Sequence, residues 1–171
     1  MQKPNSKDEY PAYYHEYINL VAEGDIKNVL ASQLEDTLSL LSGVSETEEN
    51  YRYAQGKWSL KEVIGHITDV ERIMSYRLLR ISRGDQTPLA GYDDEQYVKE
   101  AMFHTRPISS LLEDYQAVRN STISLLNSLP HGSESRRGFA NNGEITARAI
   151  AYIIAGHELH HVKIIKEKYL V

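Results

Sequence analysis

Three histidines have the residue type and the spacing of a metal site: His66, His157 and His161. His157 and His161 are four residues apart, and side chains at that spacing lie on the same side of a helix. An imidazole from a remote segment, His66, would complete a set of three nitrogens with one coordination position open for water or substrate. The pattern predicts a metal centre of the catalytic kind.

The C-terminal segment 144–169 has the apolar period of a helix, so each side-chain direction can be estimated at about 100° per residue. His157 and His161 fall inside the apolar sector, whereas His160 and Glu158 fall at its two edges. A lone inward histidine is usually hydrogen-bonded to a neighbour, but two buried imidazoles need two partners or one cation. The inward pair therefore favours a metal. The apolar sector contains Ile150, Ile153, Ile154, Ile164 and Ile165.

A second helix, predicted over 59–82, carries the third histidine. Ser59 and Glu62 form a capping-box pattern at its start. His66 lies on the flank of a broad apolar stripe, which places it at the margin of the same core. The stripe contains Leu60, Val63, Ile64, Ile67, Val70, Ile73, Met74, Leu78 and Ile81.

Three charged residues follow His66 on this helix and have alternative interpretations. Glu71 and Arg77 face the apolar side, where the simplest role of both is an ion pair at the core margin, either within the helix or with another helix. For Arg77 the simplest such partner is Glu71. Arg77 is also a candidate for binding an anionic group of a cofactor. Asp69, one turn from His66, could orient that imidazole through its second nitrogen, although it lies outside the apolar sector.

The rest of the chain supplies the elements that must position these residues. Further long helices are predicted over 25–41 and 107–129, and 10–23 is either a short helix or a packed arm rich in tyrosine. Two long connections, 85–106 and 130–143, show no strand-like alternation, and long ordered loops in small helical proteins are often functional. Four long helices with such connections predict a bundle whose order need not be simple up-and-down.

Composition limits the classes of function. The 171 residues fit one domain, here 1–171 with a short N-terminal arm over 1–23. A net charge of -5 without a long basic run argues against nucleic acid and anionic membranes as partners. The chain has no cysteine, so any metal must be held by nitrogen and oxygen. Without a signal-like start or an apolar run of about 20 residues, we expect a soluble, cytoplasmic protein.

One motif points to a different chemistry. Residues 157–161 match H-E-x-x-H, the zinc-protease signature in which the glutamate polarises a metal-bound water. The extended form of that signature does not continue after His161, and no strand signal offers support for an extended peptide. The motif therefore supports metal binding by His157 and His161 but gives little support to a protease function.

Three stretches resemble the DinB-like superfamily, in particular its DinB_2 branch. They are GKWSLKEVIGHITDVERIMSYRLLRISRGD, GYDDEQYV and AYIIAGHELHHVKIIKEKYL. The most specific elements are G-H-I-x-D-x-E at 65–71 and G-H-E-x-H-H at 156–161, and the resemblance extends over about 17–169.

The resemblance implies an all-α four-helix bundle in up-down-down-up order with long inter-helix loops. It implies a divalent metal, zinc or nickel, on His66, His157 and His161, the same residues that the helical periodicity indicates. His160 is not a usual ligand in this superfamily. A homodimer is implied as well.

The superfamily includes enzymes that use a low-molecular-weight thiol, such as bacillithiol or mycothiol, and members without known activity. The leading hypothesis is transfer of a bacillithiol-type thiol to a small electrophile at the three-histidine site. Because the chain has no cysteine, the thiol must come from outside. The alternatives are a metal-dependent hydrolase that uses metal-bound water, and a non-catalytic metal-binding or ligand-sensing bundle.

Overall fold

The computed structural model describes residues 1–4 and 7–170. The described chain is mainly helical, with one short antiparallel hairpin. The α-helices are α1 (His15–Leu20), α2 (Ile26–Leu41), α3 (Glu46–Glu49), α4 (Leu60–Ser82), α5 (Asp94–Ala101), α6 (Ile108–Asn127) and α7 (Ala147–Ile164). The strands are β1 (Arg137–Ala140) and β2 (Gly143–Thr146). Short 3-10 turns lie at Lys7–Glu9, Ala12–Tyr14, Phe103–Thr105 and Ser133–Ser135, and a π-helical turn follows α7 at Ile165–Tyr169.

The four long helices, α2, α4, α6 and α7, form a bundle in which α2 and α7 run in the same direction. Gln33 donates a hydrogen bond to the Ala155 carbonyl at 3.1 Å, and Thr37, one turn later, donates to Glu158 at 2.7 Å. The contacts advance together along both helices, which requires parallel axes. α7 packs against both α2 and α4, and α6 likewise packs against both, so α2 and α4 occupy opposite corners.

The other two long helices run the opposite way. His66, near the start of α4, meets the histidine pair near the end of α7, so α4 and α7 are antiparallel. Along α2 from Leu30 to Thr37 the facing residues of α6 go from Arg119 back to Tyr115, so α2 and α6 are antiparallel too. The order α2, α4, α6, α7 is therefore up-down-down-up, and the predicted four-helix bundle is confirmed.

α7 is the central helix of the bundle. Every residue over 149–158 is buried, which is typical of a helix packed on more than one side. Helix α1 crosses it at Gly156, where a Cβ atom would lie 2.0 Å from the Tyr17 carbonyl oxygen. A glycine is required there because the obstacle is backbone, and this close approach seats Tyr17 beside His157.

The helix starts show how the sequence sets the bundle ends. The Ser59 hydroxyl accepts a hydrogen bond from the Glu62 amide, and the Glu62 carboxylate accepts one from the Ser59 amide, so the predicted capping box is present. α7 begins at Ala147 and not near 144, because Thr146 caps it and 143–146 pairs with β1. The helix predicted over 144–169 was therefore too long at its start.

The two long connections are more ordered than the sequence predicts. The segment 85–106 contains helix α5, and 130–143 contains β1, although no strand was expected there. Asn141 and Asn142 have φ of 49° and 62°, a left-handed pair that permits the tight two-residue hairpin turn. None of the helices in residues 1–4 and 7–170 is long and apolar enough to cross a membrane.

Candidate metal centre

The structure brings His66, His157 and His161 together. The Nε2 atom of His157 lies 3.1 Å from Nε2 of His66 and 3.1 Å from Nε2 of His161. One nitrogen from each of the three residues lies within 4.8 Å of the other two. Three nitrogens bound tetrahedrally at about 2.0–2.1 Å from zinc would be about 3.3 Å apart. The imidazoles therefore fit one such ion with little movement.

The electrostatic state of the three imidazoles suits a metal. Burial lowers the pKa of His66 to about 4, and burial together with the neighbouring His66 and His160 lowers the pKa of His161 to about 3. Burial lowers the pKa of His157 well below its usual value, and the charges of the other histidines add to this. All three rings are therefore neutral at pH 7 and can offer a nitrogen lone pair.

The three Nε2 atoms also do not have enough protons to form hydrogen bonds at both short contacts of His157. Nε2 of His157 is at hydrogen-bond distance from two other Nε2 atoms, and a neutral ring has at most one proton at that atom. It can donate to one neighbour only. A cation between the three nitrogens would satisfy all of them, which is the chemistry expected of a metal-binding set.

Aromatic rings and one carboxylate surround the three histidines. The Trp58 ring lies 4.6 Å from that of His66, and the Tyr17 ring lies 5.5 Å from that of His157. Asp94, the first residue of α5, places Oδ1 3.9 Å from Nδ1 of His66. Burial raises the pKa of Asp94, so this carboxyl group has an increased affinity for a proton. It is suited to orient His66 or to accept a proton nearby.

A cavity of about 580 Å³ opens beside the histidines. Its volume is in the range of small-molecule sites. The three histidines, Asp94 and Arg77 all line it. Aromatic side chains supply much of the remaining lining: Tyr13, Tyr14, Tyr17, Trp58 and Tyr92.

A family model described as DinB superfamily (DinB_2) matches residues 30–165 of the chain. This chain belongs to the DinB superfamily. OB0413 of Oceanobacillus iheyensis, which is named a putative metal-dependent hydrolase, is 23% identical over 129 residues, or 74% of this chain and 73% of that protein. That name and the three-histidine cluster together suggest a divalent metal.

Solved structures of other proteins show the same fold. YfiT from Bacillus subtilis, a four-helix bundle of unusual topology, superposes with a TM-score of 0.70 at 19% identity, covering 98% of this chain and 89% of YfiT. A mycothiol-dependent maleylpyruvate isomerase superposes with a TM-score of 0.62 at 15% identity, covering 87% of this chain and 59% of the isomerase. At these identities the likeness establishes the fold.

Two residues next to the ligand set of this DinB-superfamily chain lie outside the cluster. The Glu158 carboxylate is 1% exposed and accepts hydrogen bonds in the core from Thr37, Tyr115 and Arg119. It is therefore engaged away from the histidines and cannot act as the base of a H-E-x-x-H protease. The His160 ring packs against Tyr17 at 5.4 Å and is not among the grouped ligands.

The structure decides between the alternative roles of the charged residues on α4. Glu71 forms the interhelix ion pair, with Arg119 of α6 at 2.8 Å, so the expected pairing of Arg77 with Glu71 was wrong. Asp69 pairs with Arg72 at 3.1 Å, and Asp94 approaches His66 instead. Asp94 lies in the GYDDEQY stretch, whose acidic character was the only signal, because the fold of that connection decides which carboxylate reaches the site.

The lowered histidine pKa values predict that metal-free protein loses stability in acid. In the unfolded chain a histidine titrates near 6.5, whereas folded His66 titrates at about 4. The stabilising effect is complete above pH 6.5 and is lost as the pH falls toward 4, because the unfolded state binds the proton first. From pH 7.5 to 4.5 we expect His66 alone to cost about 2 to 3 kcal/mol.

Urea denaturation at several pH values measures this effect. His66→Asn should flatten the pH dependence, whereas His131→Asn, at an exposed position in the loop after α6, should leave it unchanged. An equal slope in the wild type and in His66→Asn would contradict the prediction.

Proposed function

We propose that this protein is a metal-dependent enzyme for small molecules, with His66, His157 and His161 as the ligands of one zinc or nickel ion. Its proposed reaction is transfer of a low-molecular-weight thiol, such as bacillithiol, to an electrophile. The observation that carries the proposal is the convergence of three neutral imidazoles on the wall of a cavity of about 580 Å³. Metal sites that only stabilise a fold are closed, whereas sites that bind substrate border a cavity of this kind.

The chain's own residues would perform the remaining tasks. When bound, a divalent ion supplies charge that lowers the pKa of a thiol or water beside it. Asp94, 3.9 Å from His66, would accept the thiol proton. The aromatic walls formed by Trp58 and Tyr17 would hold the electrophile and exclude water. The new carbon–sulfur bond forms as the electrophile's leaving group departs with its electron pair.

Three observations support an external thiol in particular. The chain has no cysteine that could serve as the nucleophile. Glu158, which would activate water in a H-E-x-x-H enzyme, is bound in the core. The mycothiol-dependent isomerase with the same fold provides a precedent for thiol use.

Hydrolysis is the second candidate, because OB0413 is named a putative metal-dependent hydrolase. In that case water would take the place of the thiol, and Asp94 would be the base.

The homodimer that the resemblance implies also remains a prediction, and size-exclusion chromatography with light scattering would test it.

The reaction is tested with zinc- and nickel-loaded protein, bacillithiol and 1-chloro-2,4-dinitrobenzene. We expect the thioether conjugate, followed by mass spectrometry, to form faster than in protein-free buffer with the wild type and with His160→Ala, but only at the buffer rate with His161→Ala. The same preparations without thiol are assayed on ester and amide substrates. Hydrolysis that depends on His161 would establish the second candidate, and no turnover in either assay would contradict catalysis.

A further inference from the structure

Arg77 lies at a defined distance from the histidines along one wall of the cavity. It follows His66 by eleven residues on α4, which is about three turns, an offset of only about 20° and a rise of about 16 Å. Val70 and Met74, which lie between them on the same side of the helix, also line the cavity. This side of α4 therefore gives the cavity an apolar wall, with the histidines near one end and the Arg77 guanidinium near the other.

Arg77 is buried, and among the described residues no carboxylate lies within ion-pair distance of its guanidinium; Asp94 on the same cavity interacts with its charge from farther away. The residue is 3% exposed. It donates hydrogen bonds to the Ala90 carbonyl at 2.7 Å and to the Met74 sulfur at 3.5 Å, both uncharged acceptors. Among residues 1–4 and 7–170 it forms no ion pair, and Glu71 on the same helix is paired with Arg119. A buried cation without a counter-charge is costly unless a ligand supplies one.

The groups around Arg77 suit a ligand and not a structural ion pair. The guanidinium lies over the Tyr92 ring, 5.6 Å from its centroid. Tyr14 and Asn141 line the same cavity. Burial raises the pKa of Tyr14 and Tyr92, so both hydroxyls keep their protons, which they share with Tyr13 and Asp94 respectively. The guanidinium of Arg77 is therefore the group that would meet a ligand here, and a planar guanidinium is well suited to bind an oxyanion through two parallel hydrogen bonds.

We propose that the substrate of this site is an elongated molecule with an apolar middle and an oxyanion, a carboxylate or a phosphate, that pairs with Arg77. The apolar middle lies along Val70 and Met74, and the reacting end lies at the three histidines. This inference uses the proposed function to place the reacting end. The pairing with Arg77 itself needs no metal and can be measured in its absence.

Calorimetric titration of metal-free protein tests the pairing with three matched probes: 6-phenylhexanoate, 6-phenylhexyl phosphate and 6-phenylhexan-1-ol. A charge-assisted hydrogen bond should make at least one anion bind about 10-fold tighter than the alcohol, or more. The ratio between carboxylate and phosphate shows which oxyanion the site prefers. Equal binding of acids and alcohol, or no binding of any probe, would overturn the inference.

Variants locate the preference. Arg77→Met should lose the preference for the anion and keep the affinity for the alcohol, whereas Arg77→Lys should keep part of the preference. Arg80→Met is the matched control, since Arg80 lies on the same helix, pairs with Asp85 and does not line the cavity. Arg77→Met should melt at or above the wild-type temperature, because it removes an unpaired buried charge. A preference that persists in Arg77→Met would overturn the inference.

The outcomes separate this inference from the proposed function. Protein that selects the anion through Arg77 but binds neither zinc nor nickel would contradict the proposed function and leave the inference in place. Protein that binds metal but shows no preference for the anion would contradict the inference and leave the proposed function in place.

Discussion

His157→Ala is expected to lower the affinity for zinc or nickel by more than about 100-fold, a larger effect than loss of a residue that only orients a ligand. The Nε2 atom of His157 is central to the set, 3.1 Å from the corresponding atoms of both His66 and His161. Without it, two nitrogens remain for the ion. Elemental analysis of protein purified without an affinity tag, with competition against a chromogenic chelator, measures the loss.

His160→Ala is the matched control for this prediction. His160 belongs to the same helix and lies three residues away, but its ring is outside the grouped ligands and packs on Tyr17. It should keep close to the wild-type metal content, while His66→Ala and His161→Ala should behave like His157→Ala. Metal retention by His157→Ala, or its loss in His160→Ala, would refute the assignment.

The histidine cluster could be predicted from the sequence because its information is local. His157 and His161 lie four residues apart within an apolar helix, and His66 lies beside an apolar stripe of its own. Helical periodicity gives the direction of each side chain, and the only long-range step is that two apolar faces pack together. The long helices follow from the same periodicity, and the Ser59 cap follows from a four-residue pattern.

The environment of the histidines could not be predicted in this way. Asp94 and Tyr17 reach the site from α5 and α1, and their positions depend on how the connections fold back onto the bundle. The hairpin was missed because its strands have only four residues each and little alternation. The sequence left the partner of Glu71 open between its own helix and another helix, and the structure places Arg119, 48 residues away, in that role. Partners at that separation are decided by packing.

Arg119 connects the two helices that carry the histidines. It is fully buried on α6, and its guanidinium binds Glu71 of α4 at 2.8 Å and Glu158 of α7 at 2.6 Å. A further nitrogen donates to the Leu30 carbonyl of α2 at 3.0 Å. Glu158 directly follows His157, and Glu71 comes five residues after His66. We therefore expect this one cation to contribute to the spacing of the two helices that carry the histidines.

Arg119→Met is expected to destabilise the protein by about 3 to 5 kcal/mol, because it leaves two buried carboxylates without a cation. That loss is a large share of a typical stability of about 5 to 15 kcal/mol. Urea denaturation of the metal-free protein measures it. Arg72→Met is the matched control, since Arg72 also forms two ion pairs but is 44% exposed, and it should cost no more than about 1 kcal/mol.

Adding Glu71→Gln and Glu158→Gln to Arg119→Met should recover part of the loss, because most of the cost is the unpaired negative charge and not the missing contact. Arg119→Lys keeps a cation but cannot bind both carboxylates in the same fork geometry. We expect this variant to fold, and to bind zinc more weakly than the wild type. If Arg119→Met unfolds at the same urea concentration as Arg72→Met, the cation does not hold α4 and α7 together. The convergence of the histidines would then be a property of the apolar packing of α4 and α7 alone.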